Sequence, residues 1–126
     1  MKNAEINKVN NITFFEGDLF EPLGKCTFDV IVSNPPYIRT DDIGGLQKEI
    51  RDWEPVTALD GGEDGLNYYR AIIGDLRRFL SDKGRCYLEI GYDQRDGIDA
   101  IVKENGLNAW YIRDLAGIDR IAVLSF

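Results

Sequence analysis

The chain contains no histidine, and only two of its 126 residues are cysteine. The first absence removes Ser-His-Asp and Cys-His catalysis together with histidine metal sites. The second leaves Cys26 and Cys86, too few for a disulfide framework or a cysteine zinc site. Both read as inert small residues, and no metal is expected. Basic residues are scarce: 15 Lys and Arg stand against 22 Asp and Glu, a net charge of −7. A long phosphate-binding face needs clustered Lys and Arg, so nucleic acid is disfavoured as a partner, while a basic protein remains compatible. Arg77-Arg78 is too small a cluster to change this and reads as a solvated helix face. No apolar run approaches the roughly 20 residues of a membrane span. Met1 to Asn11 is polar and lacks the apolar core of a signal peptide. The expectation is a cytoplasmic protein without membrane contact.

What is present is an ordinary globular composition, 44% hydrophobic and 29% charged, which argues against disorder. The length suits one domain. Residues 1–10 read as the polar end of a helix, stopped by Asn10-Asn11. Ile12-Thr-Phe-Phe-Glu16 is rich in β-formers and reads as a strand. Phe28 to Ser33 is a near-continuous apolar run, as in a strand buried on both faces of a parallel sheet. Leu46 to Trp53 reads as a short helix. Leu66 to Leu80 carries Leu66, Tyr69, Ile72, Ile73, Leu76, Phe79 and Leu80 at helical spacing, with a stop at Ser81 to Gly84. Arg85 to Ile90 is a second buried-type strand. Asp93 to Glu104 is a helix with Ile98, Ile101 and Val102 on one face, and Leu107 to Arg113 and Asp119 to Phe126 read as an antiparallel pair. This alternation indicates an α/β three-layer sandwich.

The informative feature is Asn34-Pro35-Pro36-Tyr37, at the carboxyl end of the first buried strand. Ligands bind at that end of open α/β sheets. Proline fixes φ and carries no N–H, so the segment is stiff and offers carbonyl acceptors. Asn34 adds a side-chain carbonyl. Two acceptors at one place suit a planar NH₂ group, and Tyr37 offers an aromatic face beside it. An amide or aromatic amine is a poor nucleophile. Holding both N–H bonds on fixed acceptors aims the nitrogen lone pair at an electrophile, with the gain coming from orientation and preorganised dipoles. A methyl sulfonium would serve as that electrophile. The plainer reading of the tetrapeptide is a rigid strand-to-loop turn with a packed tyrosine.

The chain resembles the class I, S-adenosylmethionine-dependent methyltransferases that carry the Asn-Pro-Pro-Tyr signature, and among them the protein-(glutamine-N5) methyltransferases of the HemK/PrmC type, which modify peptide chain release factors. The similarity rests on residues 11–22, residues 28–38, Glu54-Pro-Val-Thr-Ala-Leu59 with Gly61-Gly-Glu-Asp-Gly-Leu66, and Leu88-Glu-Ile-Gly91 with Gln94. It implies that Asn34 and the Pro35 carbonyl hold a substrate amide, that Tyr37 packs against it, and that Pro36 stiffens the loop. It also implies that Asp18 contacts the cofactor adenine with Leu19 beside the ring, Asn34 bordering the cofactor as well. Read alone, Asp18 is equally a turn residue after Gly17. The same tetrapeptide serves N6-adenine methyltransferases acting on a flipped base, which stands as the alternative, with a non-catalytic remnant as a third reading.

The departures from the family are as informative. No Gly-x-Gly occurs, so the glycine-rich cofactor loop is absent, as are the ribose-binding acid beyond it and the helical substrate-recognition domain. The resemblance therefore implies the C-terminal portion of one catalytic domain across residues 1–126: a partial Rossmann-like fold lacking the first two strands, with a mostly parallel sheet and a C-terminal antiparallel pair. Weak or no binding of S-adenosylmethionine and no activity are expected of the chain alone. In the family two strands separate the equivalents of residues 12–16 and 28–33. The expectation is a non-family position for 12–16, or a homodimer or strand swap covering the edge of 28–33.

Other residues carry plainer expectations. Asp60 to Gly65 is not a calcium loop, because its third and twelfth positions are Gly62 and Ala71. Asp64 can cap the following helix. Glu89 either faces the site at its strand end or is a paired structural carboxylate. Trp53 and Trp110 read as packing residues.

Overall fold

The computed structural model describes residues 2–46 and 53–126. Its elements in chain order are helix α1 (Lys2–Ile6), strand β1 (Phe28–Ser33), helix α2 (Asn67–Phe79), strand β2 (Leu80–Glu89), helix α3 (Arg95–Glu104), strand β3 (Asn108–Arg113) and strand β4 (Asp119–Ser125). Short 3₁₀ turns cover Glu21–Leu23, Thr40–Gly45 and Val56–Ala58. The expected helix at Leu46 to Trp53 falls mostly on residues 47–52, outside the described residues.

The sheet order is β1-β2-β4-β3. β1 runs parallel to β2, and β4 is antiparallel to both β2 and β3. Three strands therefore share one direction and β4 opposes them, which is the α/β sheet with a C-terminal antiparallel pair that the pattern implies. The α2 periodicity is realised in full: Tyr69, Ile72, Ile73, Leu76 and Phe79 are all buried. The first four meet Cys86, Leu88 and Ile90 at β2, Ala122 and Leu124 of β4, and Ile98, Ile101 and Val102 of α3 in one cluster. A fully buried Leu or Ile in such a cluster contributes about 2 kcal/mol.

Several expectations are corrected. Both long helices pack on the sheet face that carries Cys86, Leu88, Ala122 and Leu124, so the described residues supply two of three layers. The opposite face carries the row Val32, Tyr87, Val123 and Trp110, paired strand to strand. With neither helix over it, Val32 is 74% exposed and Trp110 44%. β1 is thus only half-buried, through Ile31 and Ser33 on the helix side, and Trp110 packs not in the core but under the Arg85 guanidinium, 5.5 Å from its ring centroid. Trp53 is likewise exposed.

Residues 12–16 form no strand, despite their composition. Ile12, Phe14 and Phe15 are about half exposed; the segment pairs with none of the described strands, and the outer edge of β1, which pairs only with β2, stays open. The N-terminal helix is shorter than read, ending at Ile6. Helix α2 passes into β2 at Leu80 without a separating turn. Phe28 pairs with Leu80 and Val30 with Arg85, so the expected stop at Ser81 to Gly84 becomes a bulge inside the strand. Arg77 and Arg78 are exposed, as read, and Arg77 also donates to the Gly106 carbonyl (3.0 Å) and lies over the Phe126 ring.

Candidate active site

Because β1 and β2 are parallel, their carboxyl ends open on the same side of the sheet. Asn34 follows the last residue of β1 and is exposed; Pro35 is buried, while Pro36 and Tyr37 are half-buried. The buried first proline anchors the loop and leaves the amide of Asn34 facing outward.

The far flank of the loop is held by the glycine-rich segment Asp60 to Gly65. Ile38 donates to the Leu59 carbonyl (3.0 Å), Gly61 donates to the Ile38 carbonyl (2.7 Å), and Thr40 donates to Gly62 (3.0 Å). A short parallel bridge joins Ile38 and Asp60. A Cβ on Gly61 would lie 2.8 Å from the Tyr37 Cα and 2.9 Å from the Pro36 oxygen, so only glycine permits this approach. Asp60 secures the segment by accepting from the Thr40 hydroxyl (2.7 Å) and the Gly62 amide (2.9 Å). Those bonds hold its carboxyl below the usual range.

Tyr37 packs against the core, and its hydroxyl donates to Glu89 at 3.2 Å. Burial, then the Glu89 charge, push its ionisation above the ordinary value. Glu89 is therefore a paired carboxylate, as one of its two readings had it. The Glu89 carbonyl accepts from the Tyr69 hydroxyl at 2.7 Å. Burial first, and the neighbouring Tyr37 and Glu89 next, raise the Tyr69 ionisation as well.

Asp18 and Leu19 lie on the turn before the Glu21–Leu23 3₁₀ element, where Glu21 donates to the Asp18 carbonyl (3.0 Å). Leu19 is held at a φ of 43°, in the left-handed region that side chains seldom adopt. Phe20 then stacks on Phe79 with ring centroids 4.5 Å apart, which fixes the turn to α2. Leu19 borders two cavities. One, of about 370 Å³, runs along the open edge of β1 beside Phe15, Ile31 and Ser33. The other, of about 380 Å³, contains Asp18, Asp60, Gly62, Asn67 and Tyr68. A carboxylate acceptor beside an apolar rim fits a planar base bearing an amine. Asn34 lines neither cavity.

Asp64 does not cap α2; its carboxylate accepts from the Leu66 amide (3.1 Å) just before the helix and pairs with Arg70 on the first turn. That pairing holds its carboxyl down at about 2.

Gln94 is the residue whose role the sequence reading did not resolve. It is 6% exposed. Its Nε2 donates to the Tyr37 carbonyl (2.9 Å) and the Gly65 carbonyl (3.0 Å), and its Oε1 accepts from the Gly91 amide (2.9 Å). Its position beside the Leu88-to-Gly91 segment was the sole signal for it in the sequence.

A family model described as the Eco57I restriction-modification methylase matches residues 1–71, the stretch that holds Asp18, Leu19 and the Asn34 to Tyr37 loop. The chain belongs to this methylase family. Across 98% of its own length it is 43% identical to the release factor glutamine methyltransferase of Thermodesulfovibrio yellowstonii. It is 44% identical to the enzyme of the same name from Geobacter sulfurreducens over 95% of the chain. It covers 44% and 42% of those proteins, so it spans less than half the length of these curated relatives. Among solved structures it shares its fold with the ribosomal protein L11 methylase of Lactobacillus delbrueckii subsp. bulgaricus. The TM-score is 0.63 at 20% identity, over 98% of this chain and 49% of that one. The methylase-type α/β fold expected from the sequence is thereby established.

Proposed function

We propose that the chain is the amide-binding, C-terminal portion of an S-adenosylmethionine-dependent methyltransferase that modifies the side-chain nitrogen of glutamine in peptide chain release factors. The observation that carries this reading is the exposed Asn34 at the end of β1, on a loop anchored by a buried proline and braced along its far flank. S-adenosylmethionine supplies a methyl group made electrophilic by its sulfonium. Asn34 Oδ1 and the Pro35 carbonyl accept the two N–H bonds of the substrate amide and orient its lone pair. Pro36 keeps those acceptors from relaxing, and Tyr37 flanks the amide plane. Asp18 accepts from the adenine amine, with Leu19 against the ring and Asn34 at the cofactor's border. The names of the curated relatives support glutamine as the target. The missing strands of such a sheet would pair with the open edge of β1; a homodimer or strand swap is the alternative cover.

A second reading, methylation of adenine N6, is favoured by the restriction-modification methylase model over residues 1–71 and opposed by the net charge of −7. The deciding experiment gives the full-length methylase carrying this sequence labelled S-adenosylmethionine with either a release factor or an adenine oligonucleotide. Label on a glutamine amide is the expected result. Label on adenine selects the second reading, and transfer to neither overturns both. Calorimetry on the 126-residue chain tests the cofactor expectation: micromolar binding of S-adenosylmethionine would refute weak affinity.

A further inference from the structure

The end of β2 and the start of α3 hold the acceptor loop through one side chain. Gln94, the residue before α3, places its amide between three backbone segments: Tyr37 of the acceptor loop, Gly65 of the bracing segment, and Gly91 of the β2–α3 turn. The orientation of that amide follows from its neighbours, since two of them are carbonyls and one is an N–H. Space for it is made by two glycines. A Cβ on Gly65 would lie 2.7 Å from Nε2, and one on Gly91 would lie 2.9 Å from Oε1. Only a side chain of this length with two donors and an acceptor closes all three contacts. Asn is one methylene too short, Glu lacks the donors, and a Lys or Arg charge would sit in a position that is only 6% exposed.

We propose that Gln94 is the positioning residue of the acceptor loop. It fixes the Tyr37 carbonyl, and so the Tyr37–Ile38 peptide plane one residue beyond the two prolines, relative to the sheet. The bracing segment holds Ile38 and Thr40 from one side, and Glu89 holds the Tyr37 hydroxyl. Gln94 supplies the link that makes loop, brace and β2 one unit. Its value for methyl transfer rests on the reading of residues 34–37 proposed above. The clamp is a property of this chain and is tested without catalysis.

The test is amide hydrogen exchange on the 126-residue chain, comparing wild type with Gln94→Met and Gln94→Glu. The reporters are Ile38, Thr40 and Gly61, and the controls are the amides of the β2–β4 pair. Gln94→Met removes the hydrogen bonds at similar volume. Protection at the reporters should fall by about tenfold, the scale of a lost buried hydrogen bond, while the controls hold. An ionised Gln94→Glu carboxylate faces two carbonyl oxygens, so the loss at pH 8 should exceed that in Gln94→Met. As pH is lowered toward 5 the carboxyl takes up a proton, donates to one carbonyl, and reporter protection should partly return. Wild-type protection in both variants overturns the proposal. So does a uniform loss across the controls, which is general packing, or a Gln94→Glu profile that does not change with pH. Failure of the full-length methylase to modify a release factor would remove the proposed function and leave the exchange result standing.

Discussion

The Tyr37 hydroxyl donates to the Glu89 carboxylate across 3.2 Å, joining residues 52 apart in the chain. The bond ties the ring of the acceptor loop to the last residue of β2. Tyr37→Phe removes the donor and leaves a half-buried carboxylate short of a partner, so stability should fall by about 1 kcal/mol. The pH dependence has a defined sign. Burial and Glu89 raise the Tyr37 ionisation above its ordinary value in the folded chain. The stabilisation is therefore complete below the unfolded phenol's pKa, about 10, and is lost as pH rises through the folded value. Urea unfolding should show a constant gap between wild type and Tyr37→Phe from pH 7 to 9, narrowing at higher pH. A gap that widens with alkalinity would contradict the assigned donor.

Under the proposed function Asn34 acts on the substrate amide, and its exposure means that little of the fold depends on its side chain. Asn34→Ala in the full-length methylase should lower turnover roughly 10²-fold, the loss seen when one oriented polar contact to a reacting group is removed. Affinity for S-adenosylmethionine should change far less. Steady-state kinetics with a release factor, beside cofactor titration, separates the two. Unchanged turnover would remove Asn34 from the site.

Much of this arrangement is legible in the residues. The helical spacing of Tyr69, Ile72, Ile73, Leu76 and Phe79 fixes one face of α2, and all five are buried. The apolar run at 28–33 leading into Asn34-Pro35 locates the loop at a strand end. What is not legible depends on partners distant in sequence. Residues 12–16 have β-forming composition, but composition does not choose a partner, and the segment leaves the open edge of β1 unpaired. Val30 and Val32 read as buried, yet burial needs a covering layer on that face. Gln94 lies 57 residues from the carbonyl it holds, and no local pattern distinguishes a buried glutamine from a solvated one at a helix start. Gly17 announces a turn there, but nothing in the sequence marks Leu19 as the residue that takes the positive φ.

Gly65 is required twice over. Its φ of +74° lies in the left-handed region, and a Cβ there would stand 2.5 Å from the Tyr37 oxygen. Gly65→Ala must strain the backbone and push the acceptor loop from its brace, at a cost of about 2 kcal/mol or more. By contrast, no heavy atom comes within 4 Å of a Cβ on Gly74, in the middle of α2. Gly74→Ala should stabilise by roughly 0.5–1 kcal/mol through helix propensity. Opposite signs for the two substitutions in parallel urea titrations are the expected result. A neutral Gly65→Ala would show that the loop tolerates displacement.

The two cysteines differ in the property that governs thiol chemistry. The nucleophile is the thiolate, and burial pushes the Cys86 thiol up to about 12, whereas Cys26 is exposed. Alkylation with iodoacetamide at pH 8 should modify Cys26 rapidly and spare Cys86, with both reacting once the chain is unfolded in urea. Mass spectrometry of the intact chain counts the adducts, and two fast adducts on folded chain would contradict the placement of Cys86 in the sheet. Cys86 lies on the sheet face covered by α2 and α3, so it can react only when those helices lift from the sheet. Its slow labelling therefore measures opening of the core, independently of the acceptor loop. Gln94→Met should leave that rate unchanged while loosening Ile38 and Gly61, because its three contacts lie at the strand ends rather than between helices and sheet.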